Sequence, residues 1–289
     1  MTLAMLVPLV VKGSIFLIVF GTGLKAALED VLHLLRRPGL ALRSMLSMNI
    51  VMPVVAGALA SAFDLHHAVK VALITLGVSP VPPLLPRKEV NAGGRGSYAI
   101  ALLVMAGLTA IVFVPVQVRL IGSFFGTPAY MPPAAVAKIV LVSVLVPLAA
   151  GIIVRRLAPD LAERIARPIG MVATILLVAA ALLVIFGAWR SAVSLVGNGI
   201  LLASAAFVVV GLAVGHLLGG PEPEDRTVLA LSTATRHPGV ALAIASVNVP
   251  SERLVLAAVL LYFVISTILS AVYLAWRRRQ RAAGEVRST

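Results

Sequence analysis

The chain is poor in side chains that do covalent or metal chemistry. Cysteine is absent and only five histidines occur among 289 residues, which excludes thiolate nucleophiles and thiolate metal sites. The adjacent His66 and His67 have only Asp64 as a nearby acid, too few donors for a metal centre. No nucleophile with a base, no paired carboxylates and no glycine-rich phosphate loop stands out. The residues therefore point to no enzyme, no catalytic group, no metal site and no cofactor. What remains is a set of polar and charged residues beside helix breakers. One lies in Ser232–Thr233–Ala234–Thr235–Arg236–His237–Pro238–Gly239. There Arg236 is a permanent cation with five N–H donors, and His237 is a group able to bind solute or carry a proton. The other break runs from Ser79 to Gly94, with prolines at Pro80, Pro82, Pro83 and Pro86. Four prolines in seven residues cannot be regular helix. Glu89 follows them, the one acid expected at membrane depth, or else a partner of Arg87 and Lys88 in a loop ion pair. Lys12 lies inside the first apolar stretch, where a cation faces a partner or snorkels to the surface.

The elements that must position these residues are membrane helices. The chain is 60% hydrophobic and 12% charged, more apolar surface than one soluble core covers. Apolar stretches near spanning length recur at 6–28, 39–62, 68–80, 97–121, 134–154, 168–189, 194–218, 227–249 and 254–276, which predicts an all-α integral membrane protein of about nine transmembrane helices. The third stretch, stopped by Pro80, is too short to cross alone. The eighth is interrupted at Pro238. Non-helical backbone at that depth is tolerated only where protein or a wet cavity satisfies it. Two interrupted helices half a chain apart are also the pattern of an inverted-repeat transporter. The division expected is one domain over 1–289. Its first repeat covers about 1–125 with four spans, its second about 130–277 with five, and 278–289 form a tail.

Lys and Arg concentrate on alternate loops, from Lys25, Arg36, Arg37 and Arg43 to Arg277–Arg281 and Arg287. By the positive-inside rule that side is cytoplasmic, which puts the N-terminus outside and the C-terminus inside a cell membrane. The net charge of +13 is thereby a matter of topology and lipid headgroups, and nucleic acid is not a partner. The first apolar stretch reaches spanning length with no basic region before it, so no cleaved signal peptide is expected. Glu29–Arg37 reads as a brief interfacial helix with Val31, Leu32, Leu34 and Leu35 toward lipid.

Several of these segments resemble the bile acid:sodium symporter family. They are Phe20–Gly21–Thr22–Gly23–Leu24, Glu29–Asp30, Met52–Pro53, Arg95–Gly96–Ser97–Tyr98–Ala99 and the run from Thr235 to Ala245. The resemblance implies a core domain with two crossed, interrupted helices, a panel domain that rocks against it, and solute bound near the crossing. Nine-span members lack the first helix of the first repeat, in keeping with a four-plus-five division. In sodium-coupled members hydroxyl, amide and carboxylate groups ligate the ion. Here Pro80 is followed by prolines and leucines, and the positions matching the family's glutamate and glutamine are Ser232 and Arg236. The resemblance thus makes sodium doubtful, leaves proton coupling open, and suggests that Arg236 takes the place of a sodium ion.

Together these readings predict a secondary transporter for a small organic solute, anionic or amphipathic, working by alternating access. The alternative is a transporter-fold sensor or a membrane subunit that no longer transports. The expected solute contacts are Pro80, Pro82, Pro83 and Asn91 at the first break and Arg236, His237, Pro238 and Gly239 at the second, joined by Ser266 and Thr267 from the panel side. Lys12, Glu89 and Arg236 would carry the charge. The residues do not indicate an oligomeric state.

Overall fold

The computed structural model describes the backbone of residues 3–197 and 199–288 and the side chains of residues 6–197 and 199–280. Met1 and Thr2, and the side chains of Arg281 and Arg287 in the basic tail, lie outside the described residues. All regular structure described is helical. Seven helical units are long and apolar enough to cross a membrane. Four are single helices: α1 (Leu3–Gly23), α7 (Gly96–Phe124), α10 (Pro159–Leu195) and α11 (Ile200–Leu218). Two are pairs joined through a π turn, α3 (Pro38–Leu46) with α4 (Met52–Ala62), and α8 (Pro133–Val140) with α9 (Val146–Leu157). The seventh is α14 (Val255–Ser288).

The rest of the predicted crossings are interrupted helices. The short α5 (His67–Val78) is followed by α6 (Leu85–Asn91), and α12 (Pro223–Ala234) by α13 (Pro238–Asn248). Prolines mark where three of the four halves begin, and the His66 side chain caps the fourth, α5. Pro86, Pro223 and Pro238 occupy the first turn of their helices, where a missing N–H leaves no helical carbonyl short of a donor. The run 79–94, whose prolines rule out a continuous helix, holds one short helix after Pro83.

The helices sort into two groups. In the first, α1 packs along α9 and α10. In the second, α11 lies against α12 and α14, α5 against α4, α13 and α14, and α6 against α7 and α12. The groups meet where α10 touches α14 and where α7 touches α8. Such close packing without large side chains relies on glycine, as is usual between membrane helices. A Cβ on Gly215 of α11 would stand 2.4 Å from the Leu229 carbonyl and 2.5 Å from Cα of Ala230, and one on Gly211 would stand 2.8 Å from Cα of Ala234. The α11 backbone thus sets the position of α12, which carries Ser232 and leads to Arg236.

Three expectations need correction. The sixth span was expected to start at Pro168, after a charged loop, but α10 is continuous from Pro159 and holds Pro168 inside it. Its 37 residues rise roughly 55 Å, well beyond a hydrocarbon core of about 30 Å, so the charged turns from Asp160 to Arg167 need not enter lipid. The interfacial segment consists of a single turn, α2 (Leu28–Val31), and a 3₁₀ turn at His33–Arg36. Leu35 is exposed as expected, but Leu34 is buried against the second group because the tighter turn rotates it inward. Finally, α14 belongs with the crossed helices rather than opposite them, so Ser266 and Ser270 are buried in that group.

Gly215→Val should shift α12 outward and destabilise the fold by on the order of 1–3 kcal/mol through overpacking. Thermal melting in detergent measures this, and a melting temperature equal to that of the parent chain would contradict the close-packed seam.

Candidate functional site

The two breaks meet. The amide of His237, in the second gap, donates to the Pro80 carbonyl in the first at 2.9 Å. Around this contact α5 lies beside α13 and α6 beside α12, so the interrupted helices cross at their breaks. Every main-chain group freed by a break needs a new partner, and the local sequence explains which are freed. In the π turn Ser47–Val51 the Met52 amide bonds the Ser47 carbonyl, which leaves the Met48 carbonyl without its helical donor. Pro53 has no N–H for the Asn49 carbonyl. The side chains that take their places are Arg236, whose Nη2 donates to Met48 O at 2.9 Å, and Gln117 of α7, whose Nε2 donates to Asn49 O. Arg236 Nη1 also donates to the Ser79 carbonyl at 3.1 Å, at the end of α5. Tyr262 of α14 completes the set by donating to the Ala234 carbonyl at 2.6 Å.

Arg236 is 1% exposed and has no acidic partner within ion-pair distance among the described residues. Its donors go to main-chain carbonyls instead. Snorkelling to the surface does not describe it. His237 caps α13, its Nδ1 accepting from the amides of Gly239 and Val240. With Nδ1 an acceptor, a neutral ring carries its proton on Nε2, a buried donor without a partner. Glu89 Oε2, Gln117 Oε1, Thr235 Oγ1 and Arg236 Nε are likewise buried and unpartnered. Buried polar atoms are rarely left so. These atoms belong to residues of the crossing and of the helices packed against it.

Glu89 is buried, and its Oε1 accepts a hydrogen bond of 2.6 Å from Ser232 Oγ on α12. The loop ion pair with Arg87 or Lys88 does not form. Arg87 Nη1 instead reaches across to α10 and donates to the Gly170 carbonyl and Thr174 Oγ1, both at 2.8 Å. Lys88 turns to the same side. Both line a cleft of about 400 Å³ between the two helix groups, with Asn91, Thr174 and Arg278 as its other polar residues and Ile18, Leu84, Leu177 and Leu274 among its apolar ones. The volume suits a small organic molecule. Three basic side chains and no acid line it.

The structure thus brings Pro80, Arg236 and His237 to one point, with Pro82 and Pro83 buried beside the first break and Pro238 and Gly239 on the more exposed face of the second. Asn91 lines the cleft. Lys12 is exposed on α1 and belongs to neither place. Thr267 is exposed and back-bonds to the Phe263 carbonyl, whereas Ser266 is buried one turn from Tyr262. Residues the sequence reading passed over are Gln117, Tyr262, Thr174 and Arg278. Only Pro53 signalled one of them, since it freed the carbonyl that Gln117 takes.

Arg37 and Arg95, from the loops before α3 and α7, meet at the start of α12. Buried Asp225, in the first turn of α12, accepts from Arg95 Nε at 2.7 Å and Arg37 Nη1 at 3.2 Å, and Arg95 also reaches Glu222 and Glu224. Acids here also suit the helix N-terminus. Asp225 strengthens the hold of Arg95 on its proton. Nearby His33 is kept below the usual imidazole range by burial and then by the Arg37 guanidinium.

Crossed interrupted helices, seven apolar spans and a basic cleft define a multi-pass membrane protein with its polar centre inside the helix packing. The chain belongs to the sodium bile acid symporter family, whose profile matches residues 14–195. That stretch includes the first interrupted pair and ends before the second. The chain is also similar to the "Uncharacterized sodium-dependent transporter YocS" of Bacillus subtilis (strain 168), at 27% identity over 210 residues. The alignment covers 71% of this chain and 62% of that relative, less than two thirds of its length.

Asp225→Ala should cost on the order of 1–3 kcal/mol, the range for lost hydrogen bonds to charged groups. The solvent-exposed side of Arg37 keeps the effect from being larger. Chemical or thermal unfolding in detergent tests this, and an unchanged midpoint would show that the cluster does not tie α12 to α7.

Proposed function

We propose that the chain is a secondary transporter for a small organic anion with apolar character, working by alternating access between its two helix groups and without sodium at the crossing. The group of α3 to α7 and α11 to α14 is the core, and α1 with α8, α9 and α10 is the panel. The chain is one domain with a four-span repeat (1–125), a five-span repeat (130–277) and a tail from 278. Nine crossings, counting each interrupted pair as one, leave the arginine-rich end and the C-terminus in the cytoplasm and the N-terminus outside.

The observation that carries this reading is the cleft between the groups. It combines three cations with an apolar wall and borders α6, one half of the crossing. Membership of the symporter family supports transport. Against sodium stands Arg236, whose guanidinium already bonds the carbonyls of Ser79 and Met48. A hard cation needs several oxygen ligands, and a fixed positive charge in their midst repels it. A solute moving between the groups would have to displace Arg87 from Gly170 and Thr174, so that contact acts as a latch between core and panel.

The test is thermal stabilisation of the purified chain by a panel of carboxylates and sulfonates with apolar tails, in sodium chloride and in choline chloride. A binder at a hundred times its Kd adds about 2.7 kcal/mol of apparent stability. The expected result is at least one anion that raises the melting temperature equally in both salts and loses its effect in Arg278→Ala. Stabilisation that requires sodium, or none by any anion, would overturn the reading.

A further inference from the structure

We infer that Glu89 is a proton-binding site that couples transport, alternating between a neutral acid buried against Ser232 and a carboxylate hydrated from the cleft. Its use in coupling rests on the transport reading above, but the site itself can be tested without any solute.

The geometry makes Glu89 unlike the other acids described here. It is 1% exposed, and no Lys, Arg or His lies within ion-pair distance among the described residues. Oε1 has the Ser232 hydroxyl, whereas Oε2 is buried with no partner. A carboxylate taken out of water with one hydrogen bond and no counter-ion is so unfavourable that the group neutralises instead. The charged groups of the surrounding elements do not reverse this. On its own helix, Arg87 and Lys88 point into the cleft, where Arg278 of α14 joins them. From α7 comes Tyr98, bonded to Ser44, and at its start Arg95, held by Asp225. From α12 come Asp225, held by two arginines, and beyond its end Arg236, held by two carbonyls.

Access follows from the chain around it. Helix α6 has only seven residues, preceded by the proline-rich gap and followed by Gly93 with φ of 79° and Gly94. It is thus set between two segments that do not continue the helix. Lys88, Asn91 and Ala92 already line the cleft, so a modest movement of α6 opens Glu89 to the same water. The proton comes from that water and returns to it, and no other bond changes. Its loss or gain also alters the charge balance of the crossing. A neutral Glu89 leaves the cleft cations Arg87, Lys88 and Arg278 without an acid beside them and so favours an anion there, which binds a proton and an anion together.

The experiment uses the full chain in liposomes of neutral lipid on a solid-supported membrane, with pH steps and sodium steps and no organic solute. A pH step should produce a transient charge movement that is lost in Glu89→Gln and retained, with a shifted pH midpoint, in Glu89→Asp. A sodium step at constant pH should produce none. Infrared difference spectra of the same samples should show a distinct protonated-carboxyl component that disappears on acid-to-base titration and is missing from Glu89→Gln, while the bands of the other acids remain. Gel filtration and melting of each variant identify loss of fold, in which event Glu89→Asp and the infrared band of the parent chain decide. A charge movement and carboxyl band in Glu89→Gln equal to those of the parent chain would overturn the proposal, as would a parent chain with no titrating carboxyl. Failure of the anion panel with an intact Glu89 signal would instead reject the transport reading alone.

Discussion

A membrane helix that breaks inside the membrane must find new partners for the peptide groups it exposes, because hydrocarbon provides none. The structure answers this constraint mainly with one side chain. Arg236 reaches the end of α5 through Ser79 and the π turn between α3 and α4 through Met48, so three segments that are distant in sequence share its guanidinium. The amide of His237 also bonds the Pro80 carbonyl and so links the two breaks directly through the main chain. Gln117 and Tyr262 complete the accounting on either side. A guanidinium suits the task because it is planar, always charged and rich in donors.

The same arrangement explains why the charge can be tolerated. Desolvating a cation costs several kcal/mol after relaxation, and Arg236 recovers part of that through carbonyl dipoles rather than through an acid. An acid paired directly with it would neutralise the crossing permanently. Glu89 lies instead on α6, bonded to Ser232 four residues before Arg236. In this respect the departures from the sodium-coupled pattern are mutually consistent. Arg236 bonds the freed carbonyls, and Glu89 bonds Ser232 rather than the guanidinium.

Other parts of the molecule hold this centre in register. The glycine seam of α11 lets α12 approach to backbone contact, and the Asp225 cluster fastens the start of α12 to the loops before α3 and α7. At the opposite end Asn248 exchanges two hydrogen bonds with the main chain of Tyr130, tying the end of α13 to the loop after α7. The interrupted helices are thus anchored at their outer ends and free of regular structure at their middles.

Much of this was legible in the sequence, because hydropathy and proline report local constraints. Apolar runs of spanning length, the short run ending at Pro80 and the break at Pro238 determine an all-helical membrane protein with two interrupted helices. The chemistry of Arg236 as a donor-rich cation follows from residue type alone. The sequence did not determine where side chains meet. Lys12 and Thr267 turned out to face outward, since a helix of uniform apolarity has no periodic signal to show which face is packed. The fate of Glu89 depended on the rotation of α6, which turns Arg87 and Lys88 to the cleft and the acid to Ser232. That rotation is set by packing against α7 and α12, more than a hundred residues distant in the latter case. The cleft itself exists only between helix groups. Its basic lining was invisible as a pattern because Arg87 and Lys88 are far from Arg278 in the chain, and only tertiary packing puts them on one wall.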